Sequence, residues 1–245
     1  MLMNLALSSL KDFHSNLILK RTAKVVLFFY SLNVYMRAKM KKMVEVMIRI
    51  LHISLIKQNL SFVVSYVDKS RKEKAERFVD EKDQLLSLGA AYLMKKYLPK
   101  GEIKIMDTCK PYLPNGPFFN VSHSGEYVAF AFSKTSEVGI DIEKIDENKL
   151  DGIRYVLDEE EKKINDSGVL FQIWSNKESL IKCSSNGLKD IKKVKGLPLN
   201  GKRIINGQSY YTKSVIYNGY SLSLTLKQEE PFDIKIENIN SLEEQ

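Results

Sequence analysis

Cysteine is scarce: the 245 residues include two, Cys109 and Cys183. Two thiols cannot build a disulfide framework, so a reducing compartment, the cytoplasm, is expected. Long apolar runs are missing as well. The one apolar run within residues 1–45, Val25–Tyr30, falls far short of the about 20 apolar residues that span a bilayer. The same stretch lacks proline and glycine and has no small-residue cleavage signal behind a compact apolar core, which excludes a secretory peptide and predicts no transmembrane segment. Acidic residues are nearly absent from the start of the chain. Residues 1–57 carry ten Lys or Arg against two Asp or Glu, whereas residues 58–245 carry twenty-eight of each. The formal charge of +8 therefore lies in a basic leader, the body is balanced, and a nucleic-acid partner is not expected.

What is present is material for a core: 44% of the residues are hydrophobic. Met47–Ile56 reads as an Ile/Leu-rich strand, and Ser61–Val67 as a strand or a helix start. Lys69–Val79 has helical charge spacing. Asp83–Leu98 reads as a helix with a broad apolar face, closed by Pro99 and Gly101. Ile103–Met106 is a short strand, Lys110–Pro117 a proline-rich loop, Asn120–Gly125 a turn, and Tyr127–Ser133 an alternating strand. The order then repeats. Arg77-Phe78-Val79 is matched by Arg154-Tyr155-Val156, the helix Leu85–Lys96 by a helix Leu170–Lys182, and Gly125-Glu126-Tyr127 by Gly219-Tyr220 with alternating Leu222, Leu224 and Leu226. The fold class expected is α+β, built of two related halves. Residues 1–45 form the leader, either an upstream extension or a basic helix on a membrane surface. Residues 46–136 and 137–232 form the halves, with a metal site at their junction. The acidic residues 233–245, within a stretch 228–245 read as frayed, form a tail.

The chemistry-bearing residues fall in two clusters. Asp141 and Glu143 are two residues apart on a strand, so both carboxylates take one face and Ile140 and Ile142 the other. Like charges held together call for a cation between them. Trp174, Glu178 and Lys182 follow at i, i+4 and i+8 on one helix face. Glu178 would add a third carboxylate. Oxygen donors without histidine or thiolate suit a hard cation, Mg²⁺ first and Mn²⁺ as the alternative. Lys182 would neutralise a phosphate oxygen. Each feature alone also has an ordinary explanation: solvated strand-end acids, a surface i,i+4 ion pair, a tryptophan in the core, a histidine satisfied in a turn, a solvated lysine-rich helix face.

Taken in order, residues 47–226 resemble the 4′-phosphopantetheinyl transferases, in particular the longer two-halved type that activates peptide and polyketide synthetases. The resemblance is carried by Asn120-Val121-Ser122-His123-Ser124-Gly125, by Gly139-Ile140-Asp141-Ile142-Glu143 and by Trp174 through Lys182. It implies two similar α+β halves about a pseudo-twofold axis with the active site between them. It also implies coenzyme A as co-substrate, an acyl or peptidyl carrier protein as acceptor, 3′,5′-ADP as product, and a monomer. By position, Asp141, Glu143 and Glu178 would hold the metal. Ser122, His123 and Lys182 would meet the coenzyme's phosphates, Lys110 and Pro111 its adenine, and Arg71 and Lys74 its 3′-phosphate. Glu178, or Glu160 by its match to a family glutamate, would take the serine proton. Two positions depart from the family. Cys109 stands where a glycine is usual, and an arginine common early in the first-half helix is missing near Gln84-Leu85, so that one phosphate contact is either lost or supplied by Lys82. The alternative reading is a degenerate member that binds coenzyme or carrier without catalysis. A phosphohydrolase and a basic-leader adaptor stand further off.

Overall fold

The computed structural model describes residues 46–243, so the basic leader lies outside the described residues. The chain enters on β1 (Val46–His52) and turns at once into α1 (Ile53–Gln58), α2 (Leu60–Tyr66) and α3 (Lys69–Glu76). The long α4 (Glu81–Tyr97) follows, then the two-residue strands β2 (Lys104–Ile105) and β3 (Pro111–Tyr112). Next come β4 (Phe118–Ser124), β5 (Tyr127–Ser133), β6 (Val138–Lys144), α5 (Leu150–Arg154) and α6 (Ser167–Ser184). The chain then forms β7 (Gly201–Ile205), β8 (Gln208–Tyr217), β9 (Tyr220–Leu226) and β10 (Ile236–Asn238).

The fold is mixed α+β, in four layers. One four-stranded sheet runs β10-β1-β5-β4 and the other β6-β9-β8-β7. Their inner faces meet: Ile48, Ile50, Ala129 and Ala131 of the first sheet share a core with Val138, Ile140, Ile142, Leu222, Leu224 and Leu226 of the second. Both faces of β9 are covered, and all seven of its residues are buried. Behind the first sheet lies α4, whose Leu85, Leu86, Leu88, Tyr92 and Leu93 cover Leu51, Val128 and Phe130. Behind the second lies α6, along β6, β9 and β8. Burial on this scale contributes about 1.5–3 kcal/mol per large apolar side chain.

Several expectations shift. The strand expected over Met47–Ile56 ends at His52, because His52 Nδ1 accepts the Ser54 N–H (3.2 Å) and caps a helix; short apolar runs do not distinguish the two states by pattern. Ser61–Val67 resolves as helix. The motif Asn120–Gly125 is strand through Ser124, and the turn is Gly125-Glu126. Gly125 has φ of 58°, and a Cβ there would stand 2.3 Å from the Tyr220 hydroxyl, so this turn requires glycine. The acidic end is not frayed throughout. Phe232 is buried against Tyr211, and Ile236–Asn238 pairs in parallel with Ile48–Ile50. Arg49 holds Glu237 at 2.6 Å, and Tyr92 Oη bonds both Glu243 N and O. The alternating apolar residues of this segment outweigh its charge.

Candidate active site

The site is built on β6. Gly139 opens it: a Cβ there would stand 2.0 Å from the Ser179 carbonyl oxygen and 2.5 Å from Cys183 N. Only glycine lets the α6 backbone lie this close. That approach lowers Glu178 and Lys182 onto the strand beside Asp141. Serine and threonine hydroxyls line part of the α6–sheet contact. Ser175 bonds Ser221 and Ser223 (2.5 and 2.6 Å), and Ser179 bonds Thr225 (2.8 Å).

The other wall is β4, which belongs to the other sheet and joins β6 through side chains. Asn120 Oδ1 accepts the Ile140 N–H (2.9 Å), Ser122 Oγ donates to Asp141 Oδ1 (2.8 Å), and Ser124 Oγ donates to Glu143 Oε2 (2.8 Å) while accepting the Lys144 N–H (3.1 Å). These three residues alternate at i, i+2 and i+4, so one face of β4 laces the whole length of the acid-bearing strand.

Asp141 is 1% exposed. Its Oδ1 takes the Ser122 hydroxyl and, at 2.6 Å, the Lys182 ammonium, while its buried Oδ2 has no partner among the described residues. Lys182 also stands 3.5 Å from Glu178 and 3.2 Å from Ser122. Burial works to lower the Lys182 pKa, but the charges of Asp141 and Glu178 outweigh it and hold the amine above its usual range. Glu178 is pushed up to about 7 by burial, and the Asp141 charge adds to the rise against the pull of Lys182. Burial, then Asp141, raises Glu143 too, with Ser124 and the Trp174 indole acting the other way. The three carboxylates therefore feel one another's charge, and Lys182 bridges two of them. Among the described residues, no group of three His, Cys, Asp or Glu stands ready to enclose a metal.

The remaining expected residues divide. Solvent reaches His123 on β4, so only partial desolvation lowers its pKa; the charge of Lys182 acts the same way, as does Lys74, and Asp83 opposes them. Lys74 is thus within electrostatic reach of the site, as is Asp83 at the start of α4. Arg71, half-buried on the same helix α3, has its pKa lowered by burial, against Asp68. A cavity of about 200 Å³ connects Lys110 and Pro111 to Glu178 and Lys182, with Asn120 and Cys109 in its wall. Cys109 has φ of 65°, a left-handed conformation that favours glycine and costs a side chain about 1–2 kcal/mol. Gln84, near the missing arginine, donates its amide to the Phe78 carbonyl (2.8 Å).

Glu160 is not brought to the cluster. It is exposed and paired with Lys163 at 2.7 Å. Its neighbour Glu161 is the buried one. Glu161 binds Lys177 at 2.7 Å, with side chains 1% and 0% exposed, and accepts Gly196 N (2.7 Å) and Asp158 N (2.9 Å). In return, the Glu161 N–H donates to Asp158 Oδ1 (2.9 Å). This reciprocal pair is a capping box, legible as D-x-x-E, and it was the available signal for choosing 161 over 160. The alternation of Asn120, Ser122 and Ser124 was the signal for the lacing.

Comparison with known proteins now bears on this geometry. A family model described as the 4′-phosphopantetheinyl transferase superfamily matches residues 137–228, from β6 through β9. Over 172 residues the chain is 33% identical to 4′-phosphopantetheinyl transferase gsp of Aneurinibacillus migulanus, covering 64% of this chain and 68% of that protein. The chain belongs to the 4′-phosphopantetheinyl transferase family. It is also 30% identical over 142 residues to 4′-phosphopantetheinyl transferase Sfp of Bacillus subtilis (strain 168), covering 51% of this chain and 63% of that protein. Membership makes it a transferase enzyme, and the segment matched by the family model carries Asp141, Glu143, Glu178 and Lys182. Among the described residues of this family member, no helix is long and apolar enough to cross a membrane.

Proposed function

We propose that the chain transfers the 4′-phosphopantetheine group of coenzyme A to a serine of an acyl or peptidyl carrier protein, with Mg²⁺, releasing 3′,5′-ADP. The observation that carries this is the unpartnered, buried Asp141 Oδ2, whose charge reaches Glu143 and Glu178, with Glu178 and Lys182 lining the cavity that also holds Lys110. An orphaned carboxylate oxygen costs about 1–3 kcal/mol or more unless something fills its place. The donor set is all oxygen, which fits Mg²⁺, and Mn²⁺ as the alternative. Asp141, Glu143 and Glu178 would hold the ion. Bound there, it would offset charge on the coenzyme's pyrophosphate.

The chain's own residues do the rest. Lys182 adds a positive charge for phosphate oxygens once it leaves Asp141. His123 donates a hydrogen bond to phosphate. Ser122, bonded to both Asp141 and Lys182, orients the pair. Lys110 and Pro111 line the adenine end, and Arg71 and Lys74 on α3 face the 3′-phosphate. Glu178, on the cavity wall beside Lys182, accepts the serine proton. Glu160, paired on the surface, gives up that role. Phosphoryl transfer of this kind depends chiefly on positioning and charge. The two halves are proposed to divide at 136/137 and to be related by a pseudo-twofold axis. This is supported by one long helix behind each four-stranded sheet. The protein acts as a cytoplasmic monomer.

Intact mass spectrometry of apo acyl and peptidyl carrier proteins, incubated with coenzyme A and Mg²⁺, tests the reading. A phosphopantetheine mass gain on at least one carrier is expected. Asp141→Ala should remove it, with a rate loss of about 10²-fold or more and the fold kept. Absence of any gain across the panel, or near-normal loading by Asp141→Ala, refutes the assignment.

A further inference from the structure

A second cavity, of about 740 Å³, shares Lys110, Pro111 and Ser185 with the first. Its walls come from the loop after β3 and from the edge of the second sheet. Tyr112, Phe118 and Phe119 make them apolar and aromatic. Its polar groups are few and out of balance. Lys227 is spent on Glu137 at 3.0 Å. Among the described residues, half-buried Lys110 has no carboxylate in ion-pair range, and its ammonium makes two long contacts, to the carbonyls of Cys183 (3.3 Å) and Val138 (3.4 Å). Tyr210 lines the cavity too, and its hydroxyl has no hydrogen-bond partner among the described residues. Both groups lie beside Cys183: Lys110 on its carbonyl, and Tyr210 near enough to feel its thiol.

A half-buried ammonium held by two long carbonyl contacts and a phenol hydroxyl on the cavity wall with no bond among the described residues are both open to an acidic group. A large apolar cavity with a few converging polar groups is the usual form of a small-molecule site. The lining charges, two lysines against one glutamate, leave one positive charge to be matched.

We propose that this cavity binds an amphipathic aromatic monoanion, its acidic group on Lys110 and Tyr210 and its rings against Tyr112 and Phe118. The site is separate from the acid cluster and needs neither metal nor carrier. Because Lys110 also lines the cavity leading to Lys182, an occupant draws its ammonium away from the coenzyme and weakens coenzyme binding.

The probe is 1-anilinonaphthalene-8-sulfonate, titrated by fluorescence against the full chain. Its uncharged analogue N-phenyl-1-naphthylamine supplies the same rings without the anion. Saturable binding of one sulfonate per chain is expected, with the neutral analogue about tenfold weaker or worse. Tyr210→Phe removes one hydroxyl and should weaken the sulfonate about fivefold. Ser184→Trp, which fills the cavity from the end of α6, should abolish binding while the circular-dichroism melt stays in place. Equal binding of the two probes, or sulfonate binding unaltered in Tyr210→Phe, overturns the site whether or not Ser184→Trp folds. Saturating sulfonate should also raise the calorimetric Kd for coenzyme A about fivefold, and no change refutes the coupling. That last arm alone rests on the coenzyme reading. Probe binding is measured without coenzyme, so failure of the two can be told apart.

Discussion

Replacing Lys177 with methionine should unsettle the protein far more than replacing a surface lysine. The Lys177 ammonium is fully buried, 2.7 Å from Glu161 and 3.0 Å from the Val156 carbonyl. Without it, Glu161 keeps two backbone N–H groups, from Gly196 and Asp158, but loses the one cation that contacts it among the described residues. Breaking one side of such a buried pair costs about 3–5 kcal/mol. For a chain of this length that is a fall in Tm of about 10 °C. Adding Glu161→Gln removes the stranded charge and leaves an amide oxygen for Gly196 N, so the double variant should regain about half the loss. Lys163→Met, which breaks the equally short but exposed pair with Glu160, should leave Tm unmoved. Calorimetric melts of the four proteins decide it. A fall of less than about 3 °C for Lys177→Met, or a double variant no better than the single, would show that this ion pair is not carrying charge as argued. Because Lys177 precedes Glu178 on α6, the same variants should lose carrier loading in step with Tm.

Three further outcomes are expected. Cys109→Gly relieves a left-handed backbone and should stabilise the chain by about 0.5–1 kcal/mol in urea titration; a destabilised variant would mean the thiol packs usefully. Gly139→Ala drives a methyl into the Ser179 carbonyl, so it should cost about 3 kcal/mol or more and separate Glu178 from Asp141, read as lost carrier loading even below its Tm. Glu178 has a folded pKa of about 7 against 4.5 ordinarily. The neutral acid's contribution to stability is full below about 4.5 and lost as pH rises through 7, so Glu178→Gln should flatten the fall in Tm between pH 5 and 7.5, and parallel curves would refute the shift.

How much of this was legible in the sequence depended on local periodicity. The helix expected over Asp83–Leu98 forms at Glu81–Tyr97, and the strand expected over Tyr127–Ser133 forms there, because each carries a long repeat that tertiary contacts reinforce. Asp141 and Glu143 do share a face opposite Ile140 and Ile142, since the sheet packs on both sides. Serine and asparagine at 120–124 read as a turn because small polar residues favour turns, yet here their polarity serves another strand. Glu160 and Glu161 were indistinguishable by composition; the D-x-x-E spacing from Asp158 marks Glu161 locally, while its buried partner Lys177, sixteen residues on, lies outside any local window. The tail's acidity hid Phe232 and Ile236, whose partners lie in β8 and β1.

The parallel pairing of β10 with β1 links positions 236 and 48, almost the full extent of the described chain. The first sheet thus borrows its outermost strand from sequence that follows the second. A fragment stopped at residue 136 would present β1 with a bare row of amides and carbonyls, inviting it to pair with its own copies. Such long-range closure is also slow to find, so the two sheets should be expected to mature together and not as independently folding pieces.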